Sequence, residues 1–317
     1  MLTSKPLILL NLLSSYSDSS HRLSMEELCA HLEDHGIHAE RKAVYRALGE
    51  LKDAGVEIFF SREGEKQGYW MEHTFSPAEI LVLRNAVNDS PSLSAKSSAL
   101  LNKKLEAQLS TYEAKALPKG SLYAGKTDNH QVLSMIEALL PAIRDSRSIK
   151  FRYYDLTVTK EKRYRRNRQN YHLLPCAVIS DGGRMYCVCY SPVHQSFANY
   201  RIDRMDSLEV HEPWDPVRFD AERWAQVSFM MYHGDPVTIT LQCDESLTGI
   251  VFDRFGSDVI VSRHDSTSFT VSIRSSLSPT LVSWILMFYD RIKVIAPQEL
   301  IEELKTIAET LRKTYSD

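Results

Sequence analysis

Hydrophobic positions recur at helical spacing through the first third of the chain. Residues 5–16 ("KPLILLNLLSSY") and 24–34 ("SMEELCAHLED") place apolar side chains at every third or fourth position, as helices with one buried face require. Ser24 followed by Glu27 is the pattern of a reciprocally capped N-terminus, and Gly36 ends the run. The spacing predicts a third helix over 40–54, "ERKAVYRALGELKDA", stopped by Gly55. On a helical wheel Ala43, Val44, Ala47, Leu48 and Leu51 fill one arc, and Arg41, Lys42, Tyr45, Arg46, Gly49 and Lys52 fill the other. "VEIFF" and "YWMEH" then read as two short strands around "SREGEKQG", a turn that carries Arg62 and Lys66.

Ser76-Pro77-Ala78-Glu79 repeats the capped start, with proline at the first helical position. Helices are expected over 77–88 and 93–110, with stripes of Ile80, Leu81, Leu83 and Val87, then Leu101, Leu105 and Leu109, that pack as a bridge between domains or a dimer seam. "KALPKGSLYAGKTDNH" (115–130) reads as a linker, and a further helix carries Val132, Ile136, Leu139, Leu140 and Ile143. From Ser148 the period becomes alternating. Five β-rich runs, 148–154, 171–180, 184–190, 197–202 and 207–211, with a turn at Asp181-Gly182-Gly183, suffice for a small barrel. Beyond it, strands at 237–243, 258–263, 268–274 and 291–297 are interspersed with helices at 244–255, 279–289 and 297–315.

The placement of charge sharpens this outline. The chain has 317 residues and a net charge of −3, and its length suggests two or three domains. Residues 1–72 hold eight Lys or Arg against twelve Asp or Glu, whereas 147–211 hold twelve against six. The latter stretch also has seven of the fifteen tyrosines, and "EKRYRRNRQNY" (161–171) concentrates both residue types. Interleaved cations and aromatics suit a groove that tracks a phosphate backbone and stacks unpaired bases. Three helices followed by a hairpin is the order of a winged helix-turn-helix, in which Arg41, Lys42, Tyr45 and Arg46 would face the major groove while Arg62 and Lys66 grip phosphate. So acidic a domain is expected to bind a duplex as a dimer on a two-fold site.

Other chemistries find little support. The apolar runs "PLILLNLL" and "VSWILMF" are too short to cross a membrane, and the first lies too near Met1, with only Lys5 before it, for a secretory signal. A cytoplasmic protein with no membrane partner is expected. Cys29, Cys176, Cys187, Cys189 and Cys243 are odd in number and scattered, as reduced thiols would be. Cys187 and Cys189 share a strand face but lack a second ligand pair, so neither metal nor other cofactor is expected. The histidines, including His21, His31, His35 and His38, and the carboxylates show no paired spacing for acid–base work, so no enzyme is expected.

The hairpin "GGRMYCVCY" followed by "YRIDRMDSLEV", after such a beginning, resembles the WYL-domain transcriptional regulators of bacteria and their phages. The tripeptide that names the family stands here as Met185-Tyr186-Cys187 and keeps only its central tyrosine. The motif that follows is matched well by Tyr200-Arg201-Ile202-Asp203-Arg204-Met205, and Leu174-Pro175 fits the proline-bearing strand upstream. The basic residue often found before that proline is replaced by Tyr171 or His172. "RKAVYRALGELKDAGVEI" is similar to the family's recognition helix, and "VIAPQELIEELKTIAETLRKTY" to its C-terminal extension.

The resemblance implies a multidomain α+β chain: a winged helix-turn-helix at 1–73, a helical connector at 74–128, an Sm-like β-barrel WYL domain at 129–212, a linker at 213–236 and an extension at 237–317. The alternation of strands and helices gives the extension a ferredoxin-like character. It further implies a regulator that binds operator DNA as a homodimer, with a middle domain that senses a nucleotide or single-stranded nucleic acid. The expected pocket is Tyr186, Arg201 and Arg204 with Tyr153 and His172, and Arg163, Arg165, Arg166 and Arg168 extend it for a longer strand. The alternative is an accessory protein that grips single strands directly and uses its N-terminal helices for protein contacts.

Overall fold

The computed structural model describes residues 4–62, 67–118, 125–220, 224, 236–263 and 267–316. The chain divides into two compact units, Met1–Leu133 and Ser134–Asp317.

In the first unit the helical periodicity becomes α1 (Lys5–Tyr16), α2 (Met25–Asp34) and α3 (Arg41–Asp53). Their apolar faces meet: Leu9, Leu13, Leu28, Leu32 and Val44 are fully buried around one core. Each such side chain contributes about 2 kcal/mol by burial. Ser24 and Glu27 exchange hydrogen bonds at the start of α2, as the sequence pattern requires. β1 (Ile58–Ser61) and β2 (Gly68–Met71) form an antiparallel hairpin with Ile58 opposite Met71. Leu23, just before α2, bridges to Tyr69 through two backbone hydrogen bonds of 2.8 Å. A Cβ on Gly68 would lie 2.6 Å from the Leu23 carbonyl oxygen, so this close approach needs a glycine.

Three helices follow: α4 (Pro77–Asp89), α5 (Ala95–Glu106) and α6 (Thr111–Ala116). The single helix expected over 93–110 is thus broken. The chain turns after α5, and Ser110 caps α6 in a third reciprocal box, with Glu113, after those at Ser24 and Ser76. The expected linker therefore begins inside a helix, and farther along it Lys126 is anchored. Its ammonium donates to the Val87 and Ser90 carbonyls at 2.9 and 3.0 Å and to Ser98 Oγ at 2.8 Å. The loop between α1 and α2 is tied to α6 by Asp18. This buried carboxylate accepts hydrogen bonds from Ser110 Oγ (2.6 Å) and from the backbone N–H groups of Ser20 and His21 (2.9 and 2.8 Å), and it pairs with His21 Nδ1 at 2.9 Å. Burial pushes its pKa up, but these partners outweigh burial and hold it below the ordinary carboxylate value. The His21 ring stacks on Tyr112 at 4.0 Å.

In the second unit α7 (Val132–Arg144), whose N-terminal residues fall in the first, leads into β3 (Arg147–Leu156), β4 (Lys162–Tyr164), β5 (Tyr171–Asp181), β6 (Arg184–Ser191), β7 (Ser196–Arg201) and β8 (Met205–Pro213). β3 pairs with β4 and β5 and also with β8, while β6 and β7 continue the sheet beyond β5. β7 and β8 pair at opposite ends of this arrangement, yet only the turn Ile202–Arg204 joins them. The sheet must therefore curl into a half-barrel. A bulge after Pro175 in β5 and two register shifts between β3 and β8 supply the bending. Phe151, Ile149, Cys187, Val188, Ile202 and Met205 are buried within the sheet domain.

Residues 236–316 form a second sheet: β9 (Pro236–Asp244), α8 (Thr248–Phe255), β10 (Ile260–Arg263), β11 (Ser268–Ser276), α9 (Pro279–Leu286), β12 (Ile292–Ala296) and α10 (Gln298–Thr314). The strands are antiparallel in the order β10-β11-β9-β12. Ile239, Leu241, Val271 and Ile273 alternate toward the helices and meet Val251, Leu281 and Leu300.

Candidate nucleic-acid interfaces

α3 turns Val44, Ala47, Leu48 and Leu51 inward, which leaves Arg41, Lys42, Tyr45 and Arg46 exposed. These four differ in availability. Arg41 forms an ion pair with Glu26 of α2, whereas Lys42 and Arg46 have no carboxylate partner among the described residues. The Tyr45 hydroxyl hydrogen-bonds that of Tyr69, which braces the helix against β2. Burial, reinforced by Tyr45, pushes the Tyr69 phenol up to about 12. Arg62 is exposed at the end of β1 and acts electrostatically on Tyr69, and Lys66 lies outside the described residues.

In the half-barrel Tyr186 stands directly opposite Arg201 across β6 and β7. The Arg201 guanidinium is held by Asp203, with Nε to Oδ1 at 3.0 Å and Nη2 to Oδ2 at 2.7 Å, and Arg184 approaches the same carboxylate at 3.8 Å. The side chain of Asp203 is only 3% exposed, so Arg201 compensates a buried charge. Toward the other end of these strands Phe197 packs on Phe219 and Trp224, and Trp224 Nε1 donates to Asn199 Oδ1 at 3.0 Å. Phe219 and Trp224, which follow β8, thereby cover that end.

The expected pocket adds Arg204, Tyr153 and His172 to that pair, and of these the structure brings Tyr153 into contact with Arg201. Arg204 lies 6.0 Å over the ring of Tyr154. Tyr153 is 7% exposed, contacts Phe151, Tyr171 and Tyr200 edge-on, and its hydroxyl accepts the Arg201 backbone N–H at 3.2 Å. His172 bonds Ser148 Oγ at 3.2 Å and neighbours His211 and Trp214 near the end of β8. Burial, with help from Lys150 and His211, lowers the His172 pKa.

The basic run is more ordered than a charged loop. Leu156↔Lys162 and Tyr154↔Tyr164 continue into Phe151↔Tyr171 and Ile149↔Leu173, so β4 and β5 are one partner of β3 interrupted by 165–170. Six residues there oppose two, and the surplus loops out through Arg166, Asn167 and Arg168, with φ of 50°, 52° and 66°. Three consecutive left-handed residues without a glycine cost roughly 3 kcal/mol together. The turn is closed by hydrogen bonds from the Arg165 N–H to the Tyr153 carbonyl (2.8 Å), from Arg168 to Arg165 (3.2 Å) and from Gln169 to Arg166 (2.9 Å).

Six cations around this turn lie over four tyrosine rings: Arg152 and Arg168 over Tyr164 (5.1 and 5.4 Å), Lys162 and Arg204 over Tyr154 (4.6 and 6.0 Å), Arg165 over Tyr153 (5.2 Å) and Arg166 over Tyr171 (4.4 Å). Two carboxylates compensate part of the set. Asp155 holds Arg165 in a two-point pair at 2.8 and 3.0 Å, and Asp206 binds the Tyr164 hydroxyl and faces Lys162 (3.5 Å) and Arg152 (3.8 Å). The Arg165 guanidinium holds Asp155 below the usual carboxylate value. Burial alone would raise Asp206, but Tyr164, Lys162 and Arg152 outweigh it and lower it too. Arg166 and Arg168 have no carboxylate partner among the described residues, and Arg163 is exposed beside them. Tyr153, Tyr154 and Tyr171 are 5–7% exposed. These tyrosines are therefore barrel wall with cations on top, whereas sequence reasoning makes them open stacking platforms.

Cys187 and Cys189 are buried free thiols with sulfurs 3.5 Å apart. Among the described residues no cluster of His, Cys, Asp or Glu is placed to hold a metal ion, and no helix is long and apolar enough to cross a membrane.

Residues 134–210 match the family described as the WYL domain, and 235–312 match the WCX domain. No curated protein matches the chain. Among solved structures it is similar to proteasome accessory factor B/C (PafBC) of Arthrobacter aurescens, at 17% identity and a TM-score of 0.31. That alignment covers 99% of this chain and 49% of PafBC, so the chain spans about half the length of that protein. The WYL match takes in the whole path from β3 to the middle of β8 and the WCX match the second sheet, and on these grounds the chain belongs to the family of WYL-domain regulators.

Proposed function

We propose that the chain is a transcriptional regulator that binds double-stranded operator DNA as a homodimer through its N-terminal helices and hairpin, while its WYL domain takes a nucleotide or nucleic-acid effector. The observation that carries this reading is the outward arc of α3. Among the described residues it presents Lys42 and Arg46 without carboxylate partners, and Tyr45 fixes it against the hairpin as a winged helix would. The division at 1–73, 74–128, 129–212, 213–236 and 237–317 belongs to the same reading. Strand order supports a ferredoxin-like extension, because β12-β9-β11-β10 is order 4-1-3-2 of a βαββαβ chain. The closure of β7 toward β8 supports an Sm-like barrel. Effector binding switches occupancy only if the effector favours one spacing of the paired recognition helices over another.

The test is fluorescence anisotropy on the duplex upstream of the chain's own gene. Replacing Lys42, Tyr45 and Arg46 together with alanine is expected to weaken binding about a hundredfold or more, as loss of several groove and phosphate contacts requires. Unchanged binding would sink the operator reading. Sedimentation of the wild-type complex should show two chains per duplex. A second reading, a single-strand-binding accessory protein, is favoured by the twelve acidic against eight basic residues in 1–72 and the cationic surplus in the WYL domain. It expects steeply salt-dependent binding to single strands and none to the duplex.

A further inference from the structure

The two arginine sites of the half-barrel have different chemistry. Arg201 is already engaged by Asp203 and Arg165 by Asp155, so neither has a full charge to offer a ligand. Around the left-handed turn six cations face two carboxylates, which leaves four positive charges in surplus. Of the three that have no carboxylate partner among the described residues, Arg166, Arg168 and Arg204, the first two sit on either side of Asn167 in a backbone conformation that only a closed turn sustains. Each guanidinium lies over a tyrosine, Tyr171 or Tyr164, that is itself fixed in the sheet. The turn thus holds two guanidiniums ready before any ligand arrives, and guanidinium is the group best shaped for the paired oxygens of a phosphate. The same stacking occupies the rings, and Tyr171 is only 6% exposed, so bases have little aromatic face to stack on.

We infer that the left-handed turn 165–170 is a phosphodiester grip: Arg166 and Arg168 each bind one phosphate of a single nucleic-acid strand, and the bases are not read. This rests on the reading that the WYL domain takes a nucleic-acid effector, and it moves anion recognition from Arg201 to the turn. Recognition by phosphate alone makes binding independent of base and of sugar.

The test uses the full-length chain and fluorescent oligo(dT), oligo(dA) and oligo(rU) of about 15 nucleotides, titrated over a salt series beside Arg166→Gln/Arg168→Gln and Arg166→Lys/Arg168→Lys. The wild type is expected to bind all three strands within about threefold of one another, because a backbone reader ignores bases. The double glutamine variant should lower the slope of log affinity against log salt by about 1.4, two phosphates at about 0.7 each, whereas the lysine variant keeps the wild-type slope. Both arginines are exposed, so the variants should melt like the wild type. If the wild type binds but the glutamine variant keeps its full slope, or if one strand is preferred more than about tenfold, the grip is refuted while the effector reading stands. If the wild type binds no strand even at low salt, the nucleic-acid effector reading fails and the grip falls with it.

Discussion

The strand ending at Arg201 and the turn at Arg166–Arg168 belong to one curled sheet, and both are rich in arginine and tyrosine, yet their charges are balanced in opposite ways. Arg201 meets a carboxylate whose side chain is 3% exposed, and the pair stands at the turn that leads from β7 into β8. Arg166 and Arg168 meet ring faces and, among the described residues, no carboxylate. Density of positive charge in a sequence is therefore a poor guide to which cations can take a ligand. The decisive quantity is the carboxylate that folding brings to each one.

The sharpest way to break this contrast is Asp203→Ala. It leaves Arg201 and Arg184, 24% and 33% exposed, without their shared carboxylate, and residues 134–317 should lose about 2 kcal/mol of stability in denaturant unfolding, as expected when hydrogen bonds to a charged group are removed. A loss below about 1 kcal/mol would mean that Arg201 is as free as the turn arginines. Alkaline titration probes the tyrosine wall next. Burial pushes the Tyr200 phenol up to about 12, above the value near 10 of an unfolded tyrosine. Its contribution to stability is thus complete below about pH 10 and is lost as pH rises toward 12. Tyr200→Phe should make the alkaline decline shallower, measured as unfolding free energy against pH. The smallest effect is expected from Asp155→Asn. Arg165 and Asp155 are 54% and 37% exposed, so breaking their pair should cost less than about 1 kcal/mol and should strengthen single-strand binding by freeing a cation.

How far these regions could be read in advance depended on the range of the cause. Local signals read well: the capping boxes at Ser24 and Ser76 and the outward arc of α3 depend on residues three or four apart. The box at Ser110 carries the same signature but lay hidden inside a leucine stripe that suggested one long helix. β4 was obscured differently, because three residues, Lys162–Tyr164, are too few to show alternation within a run of charge. The Asp203–Arg201 pair joins residues only two apart, but what makes it exclusive, the burial of Asp203 in the 3-10 turn Ile202–Arg204, is set by the closure of the sheet and has no local signal. Asn167 was the only hint of the left-handed turn, since Arg166 and Arg168 adopt φ values that their side chains do not favour. The tyrosines pointed to the right surface but suggested the wrong role, because which face of a curled sheet is interior depends on pairing far along the chain.

The hydrogen bond between Asp18 and Ser110 joins residues 92 positions apart. Forming it closes a long loop, so it can reward the folding chain only after the entropy of that closure has been met. In kinetic terms the link is expected to form late, after the folding transition state. Removing it with Ser110→Ala should leave the folding rate of the N-terminal unit almost unchanged and speed its unfolding, so that the junction between the α1–α2 loop and α6 acts as a clasp governing lifetime rather than assembly.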